Sequence, residues 1–141
     1  MGAGEDRAFR LSTPLGLLYQ GSHHWLDYPV KPQSAKAKGR NLQKWVRDML
    51  LEAFPSLEPD DVRSTSMGAG GEDVQLSPAA RKLFKFSVEC KNTEKLNVWA
   101  AYEQACSNCG NNEPLLIMKK NRKKPLVVMD AEEFIKLIKK L

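Results

Sequence analysis

The sequence has few cysteines and no long apolar run, and each shortage excludes a class of protein. Three cysteines among 141 residues cannot all pair, so a secreted fold held by disulfides is not expected. No apolar stretch approaches the roughly 20 residues that span a bilayer, and the N-terminus lacks the apolar core of a signal peptide. We therefore expect reduced thiols, no membrane partner and a cytoplasmic location.

Acidic residues are also scarce relative to basic ones. Lys and Arg number 22 against 17 Asp and Glu, which leaves a net charge of +5. The segment from Lys31 to Arg47 contains no acid, and residues 119–124 are nearly all cationic. A polyanion such as DNA is the natural partner, because each neutralised phosphate releases a counterion. Charge alone is a weak indication, since basic runs also solvate ordinary loops.

The length suits one domain with a real core, preceded by a segment of different character. Residues 1–37 are rich in Gly, Pro, Ser and His, and no apolar period lasts more than a few residues. We expect this segment to be an N-terminal extension, partly ordered at best. Residues 38–141 are expected to form the functional domain.

Three segments of that domain have helical spacing. The first begins at Gly39 and stops before Pro55, and the second spans about 96–108 and stops at Gly110. The third begins with a cap at Asp130 and is expected to pack three apolar side chains against the core: Phe134, Leu137 and Ile138.

Five strands separate these helices. They are predicted at 62–65, 73–77, 83–91, 115–118 and 126–129, with Ser77-Pro78 joining the second strand to the third. The predicted class is α/β, with a mixed central sheet flanked by helices and the order α-β-β-β-α-β-β-α.

The most informative pattern is a lone acid followed by an acid-x-lysine triplet. Asp73 follows Gly71-Glu72, and Glu89-Cys90-Lys91 comes sixteen residues later, in a segment that alternates like a half-buried strand. Phe84, Phe86, Val88 and Cys90 would share the core face. Glu89 and Lys91 would share the other face, roughly 7 Å apart along the strand. A hairpin between the second and third strands would bring Asp73 beside Glu89.

Two carboxylates that converge on one point repel each other unless a divalent cation lies between them. Hard oxygen ligands with open positions suit Mg²⁺, with Mn²⁺ as a substitute. The ordinary alternative is that Glu89 and Lys91 form a solvated pair and Asp73 is a turn residue. The glycine-rich approach to Asp73, the expected hairpin and the basic composition together favour the metal site.

These residues resemble the PD-(D/E)XK nuclease superfamily, which has a restriction-endonuclease-like core. The order of the motifs is similar to that of archaeal-type Holliday junction resolvases and their phage-encoded relatives. Lys38-Gly39 opens a helix, Arg63-Ser64 precedes a glycine-rich loop, and the acid and Glu-x-Lys follow. The resemblance covers about residues 38–135. It implies phosphodiester hydrolysis that leaves 5′-phosphate and 3′-hydroxyl ends.

The resemblance also implies roles at the reacting phosphate. Asp73 and Glu89 match the metal-binding carboxylates, and the backbone carbonyl of Cys90 would be a further metal ligand. Lys91 matches the lysine that orients or helps deprotonate the attacking water. Gln104, on the following helix, matches a polar position that often supports the site.

Other positions are expected to contact DNA. Ser64 and Ser66 lie where resolvases use a serine near the scissile phosphate, and Arg63 adjoins them. Lys38 and Arg40 lie beside the start of the first helix, where a phosphate can meet backbone N–H groups as well as side-chain charge.

One position departs from the family pattern. The first helix of these enzymes usually supplies a glutamate that faces the metal, and the matching residue here is Gln43. An amide oxygen can ligate a metal or hydrogen-bond its water, but it brings no charge. The departure leaves open whether one metal or two would bind.

The leading hypothesis is therefore a Mg²⁺-dependent endonuclease that resolves four-way DNA junctions in phage recombination or repair. Symmetric cleavage needs two sites, so a homodimer is expected, with Trp99 as a candidate interface residue. One alternative is a replication, repair or restriction-type nuclease of the same fold that acts on flaps or linear DNA. Another is a DNA-binding module whose catalysis has lapsed at Gln43.

Overall fold

The computed structural model describes residues 34–65 and 70–141. Within these residues, four α-helices, five strands and one 3₁₀ helix follow one another. The order is α1 (Ala35–Ala53), the 3₁₀ helix (Pro59–Asp61), β1 (Val62–Ser64), β2 (Val74–Leu76), α2 (Pro78–Leu83), β3 (Phe86–Asn92), α3 (Val98–Asn108), β4 (Glu113–Lys119), β5 (Leu126–Val128) and α4 (Ala131–Lys139). The α/β class is confirmed, whereas the predicted order lacked α2.

Helix α1 begins four residues before the predicted start at Gly39. The hydroxyl of Ser34 accepts a 3.1 Å hydrogen bond from the Ala37 N–H and so caps the helix, and Ala35 to Ala37 are compatible with a first turn. Residues 34–37 thus belong to the folded domain. The rest of the predicted extension, residues 1–33, lies outside the described residues.

Strand β2 does not form the expected hairpin with the Glu89 strand. It pairs antiparallel with β1, and Ser64 lies opposite Val74. Ser77-Pro78, predicted to join two strands, instead starts α2: the Ser77 hydroxyl accepts from the Ala80 N–H at 3.1 Å, and Pro78 occupies the first helical turn. A serine cap followed by proline is a favourable helix start, because proline at that position loses no helical hydrogen bond.

Strand β3 is the edge of a mixed three-stranded sheet. It pairs parallel with β4, which pairs antiparallel with β5, and α3 forms the crossover between the parallel strands. Helices α1 and α3 both pack against β3. Parallel strands joined in this way are normally covered on both faces.

The prediction of a half-buried strand is therefore wrong. Every residue from Phe86 to Cys90 is buried, including Ser87 and Glu89. One face of β3 joins the main core with α1, through side chains that include Val88, Cys90, Leu42 and Val46. Of the four residues predicted for that face, Phe84 is only partly buried. The other face carries Glu89, whose β4 neighbour Leu116 is fully buried.

Helix α3 ends as predicted. Asn97 caps its start by accepting a hydrogen bond from the Ala100 N–H, and Gly110 follows its end with a φ of 56°. This left-handed conformation favours glycine because a Cβ would be strained there.

Helix α4 differs from the expectation in how it packs. Asp130 caps it by accepting a 3.0 Å hydrogen bond from the Glu133 N–H, as predicted. Leu137 packs against the core, but Phe134 and Ile138 are 46% and 48% exposed. The apolar stripe of this helix is thus only partly covered.

Within the described part of the chain, the helices are too short or too polar to cross a membrane.

Replacing Leu116 by alanine should lower the free energy of unfolding by about 2–5 kcal/mol, because a fully buried leucine leaves a cavity when truncated. The matched control is Leu83→Ala on α2, where the side chain is 48% exposed. We expect that variant to lose less than about 1 kcal/mol. Urea denaturation of both variants measures the difference, and equal losses would contradict the position of Leu116 in the sheet.

Candidate active site

Main-chain hydrogen bonds fix Asp73 between β1 and the centre of β3. The Asp73 carbonyl accepts from the Thr65 N–H at 2.8 Å, and the Asp73 N–H donates to the Val88 carbonyl at 2.9 Å. The Thr65 hydroxyl also donates to the Glu72 carbonyl at 2.8 Å. Gly71, with a φ of 93°, turns the chain into this segment in a conformation that favours glycine.

The Asp73 carboxylate points at the backbone of the acid-x-lysine triplet. Its Oδ2 accepts a 2.7 Å hydrogen bond from the Cys90 N–H. Burial raises the pKa of Asp73 to about 6; the bond from Cys90 opposes this rise, and the charge of Glu89 adds to it. Asp73 and Glu89 are therefore close enough to repel each other when both are ionised.

Cys90 contributes its backbone to the site while its side chain lies in the core. Burial raises the pKa of the Cys90 thiol, which suits a neutral core residue. In an extended strand the N–H and C=O of one residue point to the same edge. The Cys90 carbonyl therefore faces the edge of β3 at which the Asp73 carboxylate lies.

Glu89 is 3% exposed and has two neighbours on its own sheet face. Its Oε1 lies 3.5 Å from the Lys91 ammonium, and its Oε2 accepts a long hydrogen bond, 3.4 Å, from the Asn108 side-chain amide. Both contacts are longer than strong charge-assisted bonds. A buried carboxylate whose contacts within the described residues are this long can take a further cationic ligand.

Asn108 is a site residue that the sequence analysis missed. It lies on the last turn of α3, one turn beyond Gln104, which was the polar residue predicted to support the site. Gln104 is exposed, whereas Asn108 contacts Glu89. Residues four apart share a helix face, so the helix and the face were predictable but the contacting turn was not.

A second missed residue, Arg81, braces the approach to Asp73. Its guanidinium pairs with Glu72, the residue before Asp73, and donates a 2.7 Å hydrogen bond to the Phe86 carbonyl at the start of β3. The short helix α2 thereby ties the segment that contains Asp73 to the start of the strand that contains Glu89. The sequence analysis had no reason to select Arg81, because α2 was not expected.

Gln43 is 4% exposed on α1, the helix that covers the core face of β3. Its part in the site stays a prediction.

The predicted DNA-contacting residues lie in varied surroundings. Arg40 is exposed, and Arg63 is exposed but paired with Asp60 at 3.1 Å. Ser64 is half-buried at the end of β1, opposite Val74. Ser66 lies outside the described residues.

The backbone of Lys38 lies near Lys119, the first residue of the cationic segment 119–124. The Lys38 carbonyl accepts a 3.1 Å hydrogen bond from the Asn92 side chain at the end of β3, and Asn92 pairs with Lys119 at the end of β4. Burial lowers the pKa of Lys119; the charge of Lys38 lowers it further, and that of Glu94 opposes the shift. Lys38 and Lys119 thus lie on neighbouring segments at the carboxyl ends of the parallel strands, just beyond Lys91.

The donor set of the site is small for a divalent cation. Within residues 34–65 and 70–141, no group of three or more His, Cys, Asp and Glu side chains could hold a metal. Two close carboxylates and a carbonyl at the same edge still fit Mg²⁺, which is commonly held by one or two carboxylates with water and substrate phosphate completing its coordination. A site of this kind would be open towards its substrate.

A comparison with protein-family models gives one match. The family described as "Phage putative PDDEXK endonuclease" matches residues 34–141, a span that contains all described helices and strands and the triplet Glu89-Cys90-Lys91. No curated protein and no solved structure matches the chain.

Without metal, the free energy of unfolding should fall as the pH rises from about 4 to about 6, relative to the variant Asp73→Asn. Below 3.8 the carboxyl is protonated in both states; between 3.8 and about 6 it ionises first in the unfolded chain, which stabilises that state. Asparagine keeps an oxygen to accept from Cys90 but does not titrate. Urea denaturation of both proteins with a chelator measures this, and parallel pH profiles would contradict the raised pKa.

Proposed function

We propose that this chain, which belongs to the phage PDDEXK endonuclease family, is a Mg²⁺-dependent DNA endonuclease that cleaves four-way junctions. One observation carries the proposal: the Asp73 carboxylate is hydrogen-bonded at 2.7 Å to the backbone of the same triplet that holds Glu89 and Lys91. The Asp73 carboxylate thus lies at the edge of the strand whose outer face carries Glu89 and Lys91. Clustered carboxylates would repel phosphate in a protein that only binds DNA, which disfavours a lapsed module.

Asp73 and Glu89 would hold the cation, with the Cys90 carbonyl at the same edge. The bound Mg²⁺ would polarise the phosphoryl oxygen and acidify a water for in-line attack. Asp73 is presented by main-chain bonds to two strands, and Glu89 is oriented by Asn108. Such fixed ligands lose little conformational freedom when the site is loaded.

Lys91 supplies the fixed positive charge of the site. Its ammonium is 3.5 Å from Glu89 Oε1 and its side chain is 28% exposed, so it can reach both the carboxylate and an incoming substrate. In that position it can hydrogen-bond the attacking water and offset the charge that develops on the phosphate. The products would carry 5′-phosphate and 3′-hydroxyl ends, as the superfamily resemblance implies.

The adjoining lysines support a nucleic-acid substrate. The Lys38 backbone is hydrogen-bonded to the Asn92 side chain, and Asn92 lies opposite Lys119 in the sheet, so both lysines belong to the same end of β3 and β4. Their proximity at the strand ends next to Lys91 is favourable where a phosphate backbone neutralises both. The net charge of +5 favours the same class of partner.

The order of the sequence motifs favours a four-way junction as the substrate. The resolvase-like order of Lys38-Gly39, Arg63-Ser64, Asp73 and the triplet runs through the described fold, although Lys38-Gly39 lies within the early part of α1 instead of opening it. Gln43, in place of an acid, favours one cation over two.

Alanine at Asp73, Glu89 or Lys91 should reduce junction cleavage at least about 100-fold while junction binding changes little, because these residues act on the reacting phosphate. The matched control is Glu103→Ala, which removes an exposed acid from α3. Cleavage of a labelled four-way junction with Mg²⁺ and with chelator gives the rates, and gel shift in chelator gives the affinities. Wild-type cleavage by Glu89→Ala would remove the active-site assignment.

The same assay with linear duplex of identical arm sequence tests the substrate. We expect the junction to be cut and the linear duplex to be left intact. Equal cleavage of both would replace the junction proposal with a general nuclease of the same fold.

Mg²⁺ should also raise the melting temperature of the wild type and not of Asp73→Ala, which reports metal binding independently of activity.

Replacing both Lys38 and Lys119 by alanine should weaken junction binding and lower the salt slope, log Kd against log salt, by roughly two. The control is Lys82→Ala on α2, which precedes the amino end of β3 and lies away from the Lys38–Lys119 pair. Fluorescence anisotropy at several salt concentrations measures both slopes. An unchanged slope in the double variant would mean that DNA lies elsewhere.

A further inference from the structure

The C-terminal part of the chain exposes more apolar surface than its fold requires. Strand β5 is the edge of its sheet, and α4 follows it after two residues. Six apolar side chains in this part are about half exposed or more: Leu126 (58%), Val127 (57%), Phe134 (46%), Ile135 (64%), Ile138 (48%) and Leu141 (95%). Extended apolar surface of this kind usually marks an interaction site.

Helix geometry gathers the α4 residues into one stripe. Phe134 and Ile138 lie four residues apart on a single face, and Ile135 lies beside Ile138 one turn earlier, while Leu141 follows after the helix has ended at Lys139. Leu137, at the margin of the stripe, packs against the core. The stripe therefore continues outward from the core contact towards solvent.

Charges beside the stripe have opposite signs at its two ends. Glu132 lies in the first turn and Lys139 in the last turn. They are seven residues apart, which places them on the same side of the helix about 10 Å from each other along its axis. The helix dipole explains an acid at the start and a base at the end of any helix, but it does not explain an uncovered apolar stripe between them.

We infer that the exposed apolar stripe of α4 binds a second copy of this chain, with the two α4 helices antiparallel about a twofold axis. The midpoint of Glu132 and Lys139 falls between Ile135 and Ile138. Antiparallel packing at that point brings Glu132 opposite Lys139 of the second copy twice, while the apolar stripes cover each other. A parallel arrangement would place acid on acid and base on base.

The charge pattern argues against other occupants. DNA would gain little from the isoleucines, and both DNA and an anionic lipid surface would be repelled by Glu132 and Glu133 in the first turn of α4, although Lys136 and Lys139 lie in its last turn. A second copy satisfies both the apolar stripe and the paired charges. The inference does not rest on the proposed substrate, since the dimer would form without DNA.

The test is the oligomeric state of the full chain, without DNA or metal. Sedimentation velocity from about 1 to 100 µM should show a dimer for the wild type, and Ile138→Asp should weaken it about 100-fold by placing a charge in the apolar centre. The matched control is Leu83→Asp on α2, because Leu83 and Ile138 are both 48% exposed. That variant should dimerise like the wild type.

A charge exchange tests the antiparallel packing without touching the apolar stripe. Glu132→Lys and Lys139→Glu should each weaken self-association up to about tenfold, since each turns two attractive pairs into repulsive ones. An equimolar mixture of the two variants should form heterodimers with an affinity near that of the wild type. This arm stands even if Ile138→Asp fails to fold, which circular dichroism would reveal.

Several outcomes would overturn the inference. A wild type that stays monomeric up to about 100 µM has no such interface at this affinity. A dimer that survives in folded Ile138→Asp, or one lost equally in Leu83→Asp, uses another surface. Charge variants that do not recover association on mixing exclude antiparallel α4 packing.

Discussion

A carboxylate buried on an edge strand between two helices is the constraint on which the rest of the structure depends. Glu89 is 3% exposed on β3, and burying a carboxylate is costly in free energy unless neighbouring groups compensate its charge. Lys91 and Asn108 provide that compensation only at 3.5 and 3.4 Å. The approach of the Asp73 carboxylate makes the negative charge denser still. Negative charge of this density favours the binding of a cation. The family to which the chain belongs is one of endonucleases.

The supporting structure holds the two acids together by main-chain hydrogen bonds more than by side-chain packing. Asp73 is bonded through its backbone to Thr65 and Val88, and through its side chain to the Cys90 N–H. Arg81 links the preceding residue to the start of β3. Backbone groups have fixed positions once the strands pair, so the separation of the acids is determined by the fold itself. Substitutions far from the site, in α2 for instance, can therefore change the positions of the two acids by shifting the strands.

The surface divides into regions that suit different partners. Lys38 and Lys119 concentrate positive charge at the carboxyl ends of β3 and β4, next to the acids. Helix α4 presents an apolar stripe with opposite charges at its ends. The first region is the one proposed to bind a phosphate backbone, and the second is the one proposed to bind a copy of the chain. A dimer formed through α4 would carry two identical sites, which is what paired incision of a symmetric junction requires.

The sequence by itself determined the local features. Apolar spacing predicted the presence of α1 and α3, Asp130 was predicted as a cap, Gly110 as a stop, and the acid-x-lysine triplet as part of a strand, because each depends on neighbouring residues along the chain. Only the tertiary structure decided that Ser77-Pro78 starts a helix, that β2 pairs with β1, and that Asn108 is the residue of α3 that contacts Glu89. It also decided that β3 is buried on both faces while the stripe of α4 stays open. Burial depends on what packs from distant parts of the chain, and periodicity records which residues share a face but not what covers it.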